Sequence, residues 1–371
     1  MKTCHRAKAC PRHFSRTTQC ASRCTGPAAI CNEFRDLKDR HEPTDSSRFL
    51  VSVVLGLAGC GGGGAETPVA GQGPTHLERS AAATATAQSA ANACAPVKPF
   101  YWEVGDRNGR LASGSVNSAS DATVYTANTQ MSIASASKWL YAGYVAQKRS
   151  AGLTTDDIRF LNFRSGYNGF SICLPGQTVD ECVAYKTNGV YSASTVGQFD
   201  YGGGHMQKHA SLEGLGALDN AGFAAEMRAQ IGTDIGLVYS QPQPAGGGVS
   251  SADDYARFLR KLLNGSLRMG AALGSYAVCT NPASCPAGAA IYTPTAPNES
   301  WHYSIGHWVE DDPAVGDGAF SSPGAFGFYP WIDATKNWYG VLARRDLFGS
   351  ALESVNCGRL IRKAWLTGSA Q

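Results

Sequence analysis

The pattern of apolar and polar positions divides the chain into strand-like ends and a looser middle. Phe100-Tyr101-Trp102-Glu103-Val104 and Arg110-Leu111-Ala112-Ser113-Gly114 predict two strands joined by a Gly-Asp-Arg-Asn-Gly turn, the strongest hairpin signal in the chain. A further short strand is expected at Thr123–Tyr125. From Gln130 a few extended residues run into a helix that carries Leu140, Tyr141, Tyr144 and Val145 inward. Between about 151 and 245 the periodicity loosens into Gly- and Tyr-rich sequence, with one helix expected at Gly222–Gln230. It sharpens again at Ser251. There Ser251 and Asp254 form a capping box, Tyr255, Phe258, Leu259, Leu262 and Leu263 form one apolar stripe, and Gly265 stops the helix. Strands return at Tyr303–Val309, Gly327–Asp333 and Trp338–Ala343, followed by a closing helix near Ser350–Trp365. Strands at both ends predict an α/β layer, about 96–150 and 300–371, with a mostly helical, irregular region inserted over about 151–299.

Upstream of this domain the pattern is different. Residues 61–95 hold almost no large apolar side chains and read as a flexible tether. Before them, Arg48 is followed by the apolar run Phe49–Gly56, too brief to span a bilayer, which ends in Leu57-Ala58-Gly59-Cys60. That run resembles a bacterial lipoprotein signal in which Cys60 becomes the lipid-bearing residue. It implies export to the cell envelope or periplasm, with the membrane reached only through a lipid anchor. Residues 1–47 are polar, Cys-rich and Arg-rich. The spacings of Cys4, Cys10, Cys20, Cys24 and Cys31 form no clean zinc ligand set, so residues 1–60 read as a leader, either unusual or over-extended.

Composition narrows the function classes. With 371 residues and 43% hydrophobic content, the chain can bury a sizeable core. The formal charge is +3, but residues 1–60 hold ten Lys/Arg against five Asp/Glu, leaving 22 against 24 in the remainder. A near-neutral body argues against a nucleic-acid partner. Beyond Cys60 lie six cysteines. The short loops Cys173–Cys182 and Cys279–Cys285 favour local disulfides, which leaves Cys94 with Cys357 as one of fifteen possible connectivities. No Cys-x-x-Cys occurs in the body, and an oxidising compartment suits this usage better than metal binding.

The candidate chemistry is in Gln130-Met131-Ser132-Ile133-Ala134-Ser135-Ala136-Ser137-Lys138-Trp139-Leu140. Ser135 and Lys138 stand three apart at a helix start, on one face, where unpaired backbone N–H groups are available. A hydroxyl beside an amine in such a place suits an acyl-transfer nucleophile, which must lose a proton and then have an oxyanion stabilised. Ser135-x-x-Lys138 is the one such match in the sequence, and its neighbours Ile133, Ala134, Ala136, Trp139 and Leu140 are apolar, an unusual setting for a surface lysine.

Together with Gly246–Tyr255, Ser304-Ile305-Gly306-His307-Trp308 and Ser322–Asp333, this stretch resembles the penicillin-recognising serine hydrolases. That group includes class C β-lactamases, D-Ala-D-Ala carboxypeptidases, related esterases and 6-aminohexanoate-dimer hydrolases. The resemblance covers roughly residues 96–371. It implies a β-lactamase-like α/β fold, an antiparallel sheet flanked by helices with an inserted helical region, and a small-molecule, peptide or oligomer substrate. It implies neither cofactor nor metal. The family's second motif, Tyr-x-Asn, is met best by Tyr201 in Phe199–His205, with Gly203 where asparagine belongs; Tyr185 and Tyr191 are weaker matches. Its third motif, Lys-Thr-Gly or a variant, appears as Ser322-Pro323-Gly324. There a bare Gly324 backbone would let substrate lie along the strand, and the N–H groups of Ser135 and Ala325 would form the oxyanion hole. The lysine that would hold a substrate carboxylate is missing, with Arg344 or Arg345 as replacements.

The implied mechanism has a desolvated Lys138 accept the Ser135 proton, Ser135 attack the carbonyl, and Tyr201 pass a proton to the leaving group. The departures point away from β-lactam resistance and toward an ester or amide. The alternatives are a carboxypeptidase or β-lactamase activity and a non-catalytic cell-envelope lipoprotein. His205 and His209, four apart, form a weaker metal pair, while His302 and His307 suit packing. No Gly-x-Ser-x-Gly elbow of the α/β-hydrolase type occurs.

Overall fold

The computed structural model describes residues 73–150 and 152–371, so the expected leader over 1–60, its lipid-bearing Cys60 and the first part of the tether lie outside the described residues. The strands in chain order are β1 (Phe100–Gly105), β2 (Arg110–Val116), β3 (Met131–Ser132), β4 (Phe199–Asp200), β5 (Val238–Tyr239) and β6 (Gly248–Ser250). They continue as β7 (Val278–Cys279), β8 (Ala290–Tyr292), β9 (His302–Tyr303), β10 (Trp308–Glu310), β11 (Ala319–Ser321), β12 (Tyr329–Ile332) and β13 (Tyr339–Ala343). The α-helices are α1 (His76–Gln88), α2 (Ser137–Lys148), α3 (Thr155–Leu161), α4 (Val179–Val183), α5 (Gly204–Ala210), α6 (Asn220–Ile231), α7 (Ala252–Leu263) and α8 (Ala351–Thr367).

The expected hairpin forms because Asp106 caps its own turn: its carboxylate accepts from the N–H groups of Asn108 (2.7 Å) and Gly109 (3.0 Å). The chain's last strand, β13, then pairs with the free side of β1, and the eight-stranded antiparallel sheet runs β2-β1-β13-β12-β11-β10-β9-β7. Alternate side chains of β12 face opposite layers. Tyr329 and Trp331 meet Arg362 of α8, whereas Tyr339, the cross-strand partner of Ile332, meets Arg260 of α7. Helices therefore cover both faces of the sheet. Two small sheets stand apart from it: β3-β6-β5, in which β6 and β5 of the insertion pair with β3 from before it, and β4-β8 within the insertion. The stretch Thr123–Tyr125 is not a strand. Side-chain bonds hold it instead, from Ser115 Oγ to the Tyr125 carbonyl (2.6 Å) and from the Tyr125 hydroxyl to the Arg345 carbonyl (3.0 Å).

The tether expected to reach residue 95 is corrected over its second half. Residues 76–88 are helical, so the folded domain includes residues well before Pro96. The reasons were in the composition. Alanine is the best helix former, Thr75 and Glu78 make a full capping box, and the small residues Ala83, Thr86 and Ala87 let α1 pack closely against α8. Arg79 donates to the carbonyls of Trp365 (2.7 Å) and Leu366 (3.0 Å), closing the last turn of α8. The disulfide Cys94–Cys357 ties the segment after α1 to the same helix. Cys173–Cys182 and Cys279–Cys285 are also bonded, which fits an oxidising compartment. Among the described residues no helix is long and apolar enough to cross a membrane.

Candidate active site

Ser135 is fixed by its neighbours on every side. Strand β3 pairs with β6, and the ladder ends with Ile133 N–H donating to the Gly248 carbonyl (3.0 Å). Ala134 then takes a positive φ of 43°, a strained conformation for a residue with a Cβ, and turns the chain into the 3₁₀ turn Ala134–Ala136 and on into α2. Tyr255 of α7 donates to the Ala136 carbonyl (2.8 Å), Gly248 N–H donates to Ser137 Oγ (3.1 Å), and Ser322 Oγ donates to the Ser135 carbonyl (3.0 Å). The capped start of α7 thus braces the turn that carries the hydroxyl.

Lys138 follows one turn later and is buried. Its Nζ lies 3.0 Å from Ser135 Oγ and 2.6 Å from the Ala245 carbonyl. Burial pushes the amine down to about 7, so near neutrality a large share of it carries a lone pair rather than a charge. The Tyr201 ring lies 4.8 Å from the same nitrogen. Its phenol is pushed up to about 12 by burial, opposed by hydrogen bonding with the side chains of Ser135 and Trp308. Tyr201 is held by its own N–H on the Tyr292 carbonyl (3.1 Å) and by stacking on Trp308, centroids 5.3 Å apart. Three predicted residues, Ser135, Lys138 and Tyr201, therefore share one point in space.

Gly203, at the position of the second-motif asparagine, has no room for a side chain. The backbone of Tyr201–Gly204 packs against the Tyr167–Phe170 segment, and a Cβ at Gly203 would stand 2.9 Å from the Phe170 ring. Gly202 is pressed against the Asn168 carbonyl in the same way. Phe170 occupies the space that a side chain at 203 would need.

At the third motif, the Ser322 and Gly324 N–H groups bond across to the Pro330 (3.3 Å) and Phe328 (2.8 Å) carbonyls, while Pro323 and Ala325 line the cavity at Ser135. Pro323 has no N–H, so Ala325 carries the first N–H on that edge. Gly324 is further required because a Cβ would strike the Ile133 carbonyl, and Ser322 serves as a tie to the nucleophile turn. Among the described residues, the N–H groups of Ser135 and Ala325 donate to no backbone carbonyl. Both residues line the same cavity.

Other sequence candidates lie elsewhere. Arg344 is held by Glu353 (2.8 Å) and Asp346 (3.3 Å), Arg345 is exposed, and both border a separate cleft. Tyr185 lines a different surface cleft, and Tyr191 packs at a tilt against Tyr167. His205 bonds Ser165 and the Asp200 carbonyl, whereas His209 bonds Tyr141 and Asp157, so the two imidazoles serve different neighbours. Asp157, His209 and Glu213 do cluster, but Arg149 and Lys148 neutralise the carboxylates, which makes an ion-pair network. His307 is buried and stacked on Trp139 and accepts from Gly274 N–H (3.0 Å); burial lowers it to about 4, and it packs as expected. His302 pairs with Asp311 on a more exposed edge.

Two cavities, each of ≈ 340 Å³, meet at Ser135 and Tyr201. One is walled by Tyr292, Trp301, Trp308, Pro294 and Leu352, the other by Lys138, Phe170, Ser240, Gln241 and Gln243. Sequence reading singled out only Lys138 and Trp308 among these wall residues. The Ala245 carbonyl that receives Lys138 had no side-chain signal at all. The expected inward row of α2, by contrast, is buried throughout.

No protein-family model matches the chain, and no curated protein matches its sequence. Solved structures do. The chain is similar to EstCE1, a hydrolase with promiscuous acyltransferase activity, at 14% identity and a TM-score of 0.53, over 78% of this chain and 99% of that one. It is similar to a D-stereospecific amidohydrolase from Streptomyces at 13% identity and 0.52, over 80% and 100%. A β-lactamase from Mycobacterium bovis matches at 14% and 0.50, over 73% and 96%. The fold is a β-lactamase-like one, shared with these structures at 13–14% identity.

Proposed function

We propose that the protein is a serine hydrolase that cleaves an ester or amide through an acyl-enzyme on Ser135. One observation carries the reading: a buried amine, Lys138 Nζ, lies 3.0 Å from Ser135 Oγ with its pKa lowered to about 7. In this reading the neutral amine takes the hydroxyl proton as Ser135 attacks the carbonyl. The N–H groups of Ser135 and Ala325 receive the oxyanion, and Tyr201, protonated at neutral pH, hands a proton to the leaving group. Lys138 gives its proton to the Tyr201 phenolate as the leaving group departs. Water then attacks the acyl-enzyme and yields a proton to the neutral Lys138, which passes it to Ser135 Oγ as the free acid leaves. The solved structures of similar fold include hydrolases of amide and other acyl substrates, which supports this choice of reaction.

The test is Ser135→Ala in purified protein. Hydrolysis of a p-nitrophenyl ester falls by a factor of about 10⁴ or more, and a fluorophosphonate probe no longer labels the protein. Undiminished hydrolysis by Ser135→Ala would sink the assignment. Capture of a fluorescent penicillin at Ser135 instead favours the carboxypeptidase or β-lactamase alternative, and capture of neither probe favours the non-catalytic envelope binder.

The same reading puts the chain outside the cytoplasm. The three disulfides support an exported location, and the Leu57-Ala58-Gly59-Cys60 sequence supports a lipid-anchored form. Cys60→Ser that still partitions into detergent with the membrane fraction would count against the anchor.

A further inference from the structure

We infer that the aromatic cavity beside Ser135 takes an uncharged, apolar substituent of the substrate, and that a carboxylate near the scissile bond is excluded. This deepens the hydrolase reading and rests on it. Tyr201, Tyr292, Pro294, Trp301, Trp308 and Leu352 line that cavity, and its ≈ 340 Å³ suits one ring with a short linker. Among all residues lining the two cavities at Ser135, Lys138 is the one cationic type, and its amine is engaged by Ser135 and the Ala245 carbonyl.

Two arginines on neighbouring elements are committed elsewhere. Arg359 lies 4.9 Å from the Trp301 ring, but Glu299 (2.8 Å) and Glu310 (2.9 Å) hold its guanidinium. Arg344 is held by Glu353 and Asp346. The start of α8 borders the cavity through Ser350–Leu352. Its partial positive charge is already answered by the Ser350 cap on Leu352 N–H (3.2 Å) and by Glu353 in the first turn. A substrate carboxylate would lose hydration there with no cation in return, whereas a phenyl or branched alkyl group would exchange water for ring contacts.

Binding and turnover separate this inference from the reading beneath it. Calorimetric titration of the Ser135→Ala protein with 4-phenylbutyramide and with glutaramate compares a phenyl ring with a carboxylate on short amide chains, without requiring hydrolysis. The phenyl ligand binds at least about tenfold more tightly, and Leu352→Arg narrows that gap by improving glutaramate binding. Glutaramate binding as tightly as the phenyl ligand overturns the inference, whatever the hydrolytic result. In the active protein, ester pairs differing by phenyl against carboxylate, on the acyl side and on the alcohol side, are cleaved with a kcat/KM ratio of roughly 10–100 in at least one pair. Equal rates in both pairs, with Ser135-dependent hydrolysis of p-nitrophenyl acetate intact, overturn it as well. Loss of the Ser135 dependence itself strikes the hydrolase reading alone.

Discussion

The Lys138 nitrogen stands 4.8 Å from the centre of the Tyr201 ring, so base and acid of the proposed reaction face one another across the nucleophile. Burial disfavours the ammonium form and lowers the amine to about 7.

The pH profile follows directly. Activity requires neutral Lys138, so kcat/KM rises as pH increases through about 7 and is lost as pH falls below it; the Tyr201 limb lies near 12, beyond the usual working range. A kcat/KM profile with no inflection between about pH 6 and 8 would count against Lys138 as the base.

Stability carries the same signature with its own sign. The folded-state pKa of Lys138 lies below its unfolded value of 10.5, so between about 7 and 10.5 the unfolded chain binds more protons and stability rises with pH. The contribution is poorest at pH values below about 7, where the native state must bury a charge. Lys138→Met therefore abolishes hydrolysis while raising the unfolding free energy at pH 7, on the order of 1–3 kcal/mol. Urea unfolding of the two proteins checks this.

Tyr201→Phe keeps the ring that stacks on Trp308 and removes only the phenol. Turnover falls by about 10²–10³ while the thermal midpoint moves little. A variant that unfolds early instead would assign Tyr201 to packing.

Gly203→Asn writes the family's second motif into this chain and damages it. The new side chain meets the Phe170 ring, so the single variant loses about 1–3 kcal/mol, and Phe170→Ala in the same protein recovers part of the loss. Chemical denaturation of the single and double variants measures the coupling.

Replacing Cys94 and Cys357 by alanine opens a bond spanning 263 residues and frees the segment that follows α1. The expected loss is about 2–5 kcal/mol, read from the urea midpoint.

Much of this arrangement was legible in the chain because local chemistry dictated it. The Asp106 turn, the Ser251 cap and the Ser135–Lys138 spacing each depend on residues within a few positions, and the first and last take their expected form. Ser251 caps Asp254 N–H (3.1 Å) without the return bond of a full capping box, because the Asp254 carboxylate takes the Ser251 hydroxyl instead. What escaped prediction depends on partners far away. The Ala-rich segment at 76–88 reads as featureless until α8 offers it a surface, although the Thr75–Glu78 box marked its start. Likewise Gly203 looks like a lost asparagine until Phe170 is seen beside it, and the steric need for Gly324 shows only once the Ile133 carbonyl appears behind it. The aromatic wall comes from Tyr292, Trp301 and Leu352, scattered over sixty residues, and no periodicity links them.

Helix α8, 17 residues and roughly 25 Å long, joins two unlike neighbourhoods. One end borders the cavity beside Ser135 through Ser350–Leu352; the other receives Pro74 against Gly368 and Gln371 against Thr86. A bead, tag or surface coupled through residue 73 or residue 371 thus grips the molecule by its heel. The mouth stays open to bulky polymers that could never reach a pocket pressed against its own support.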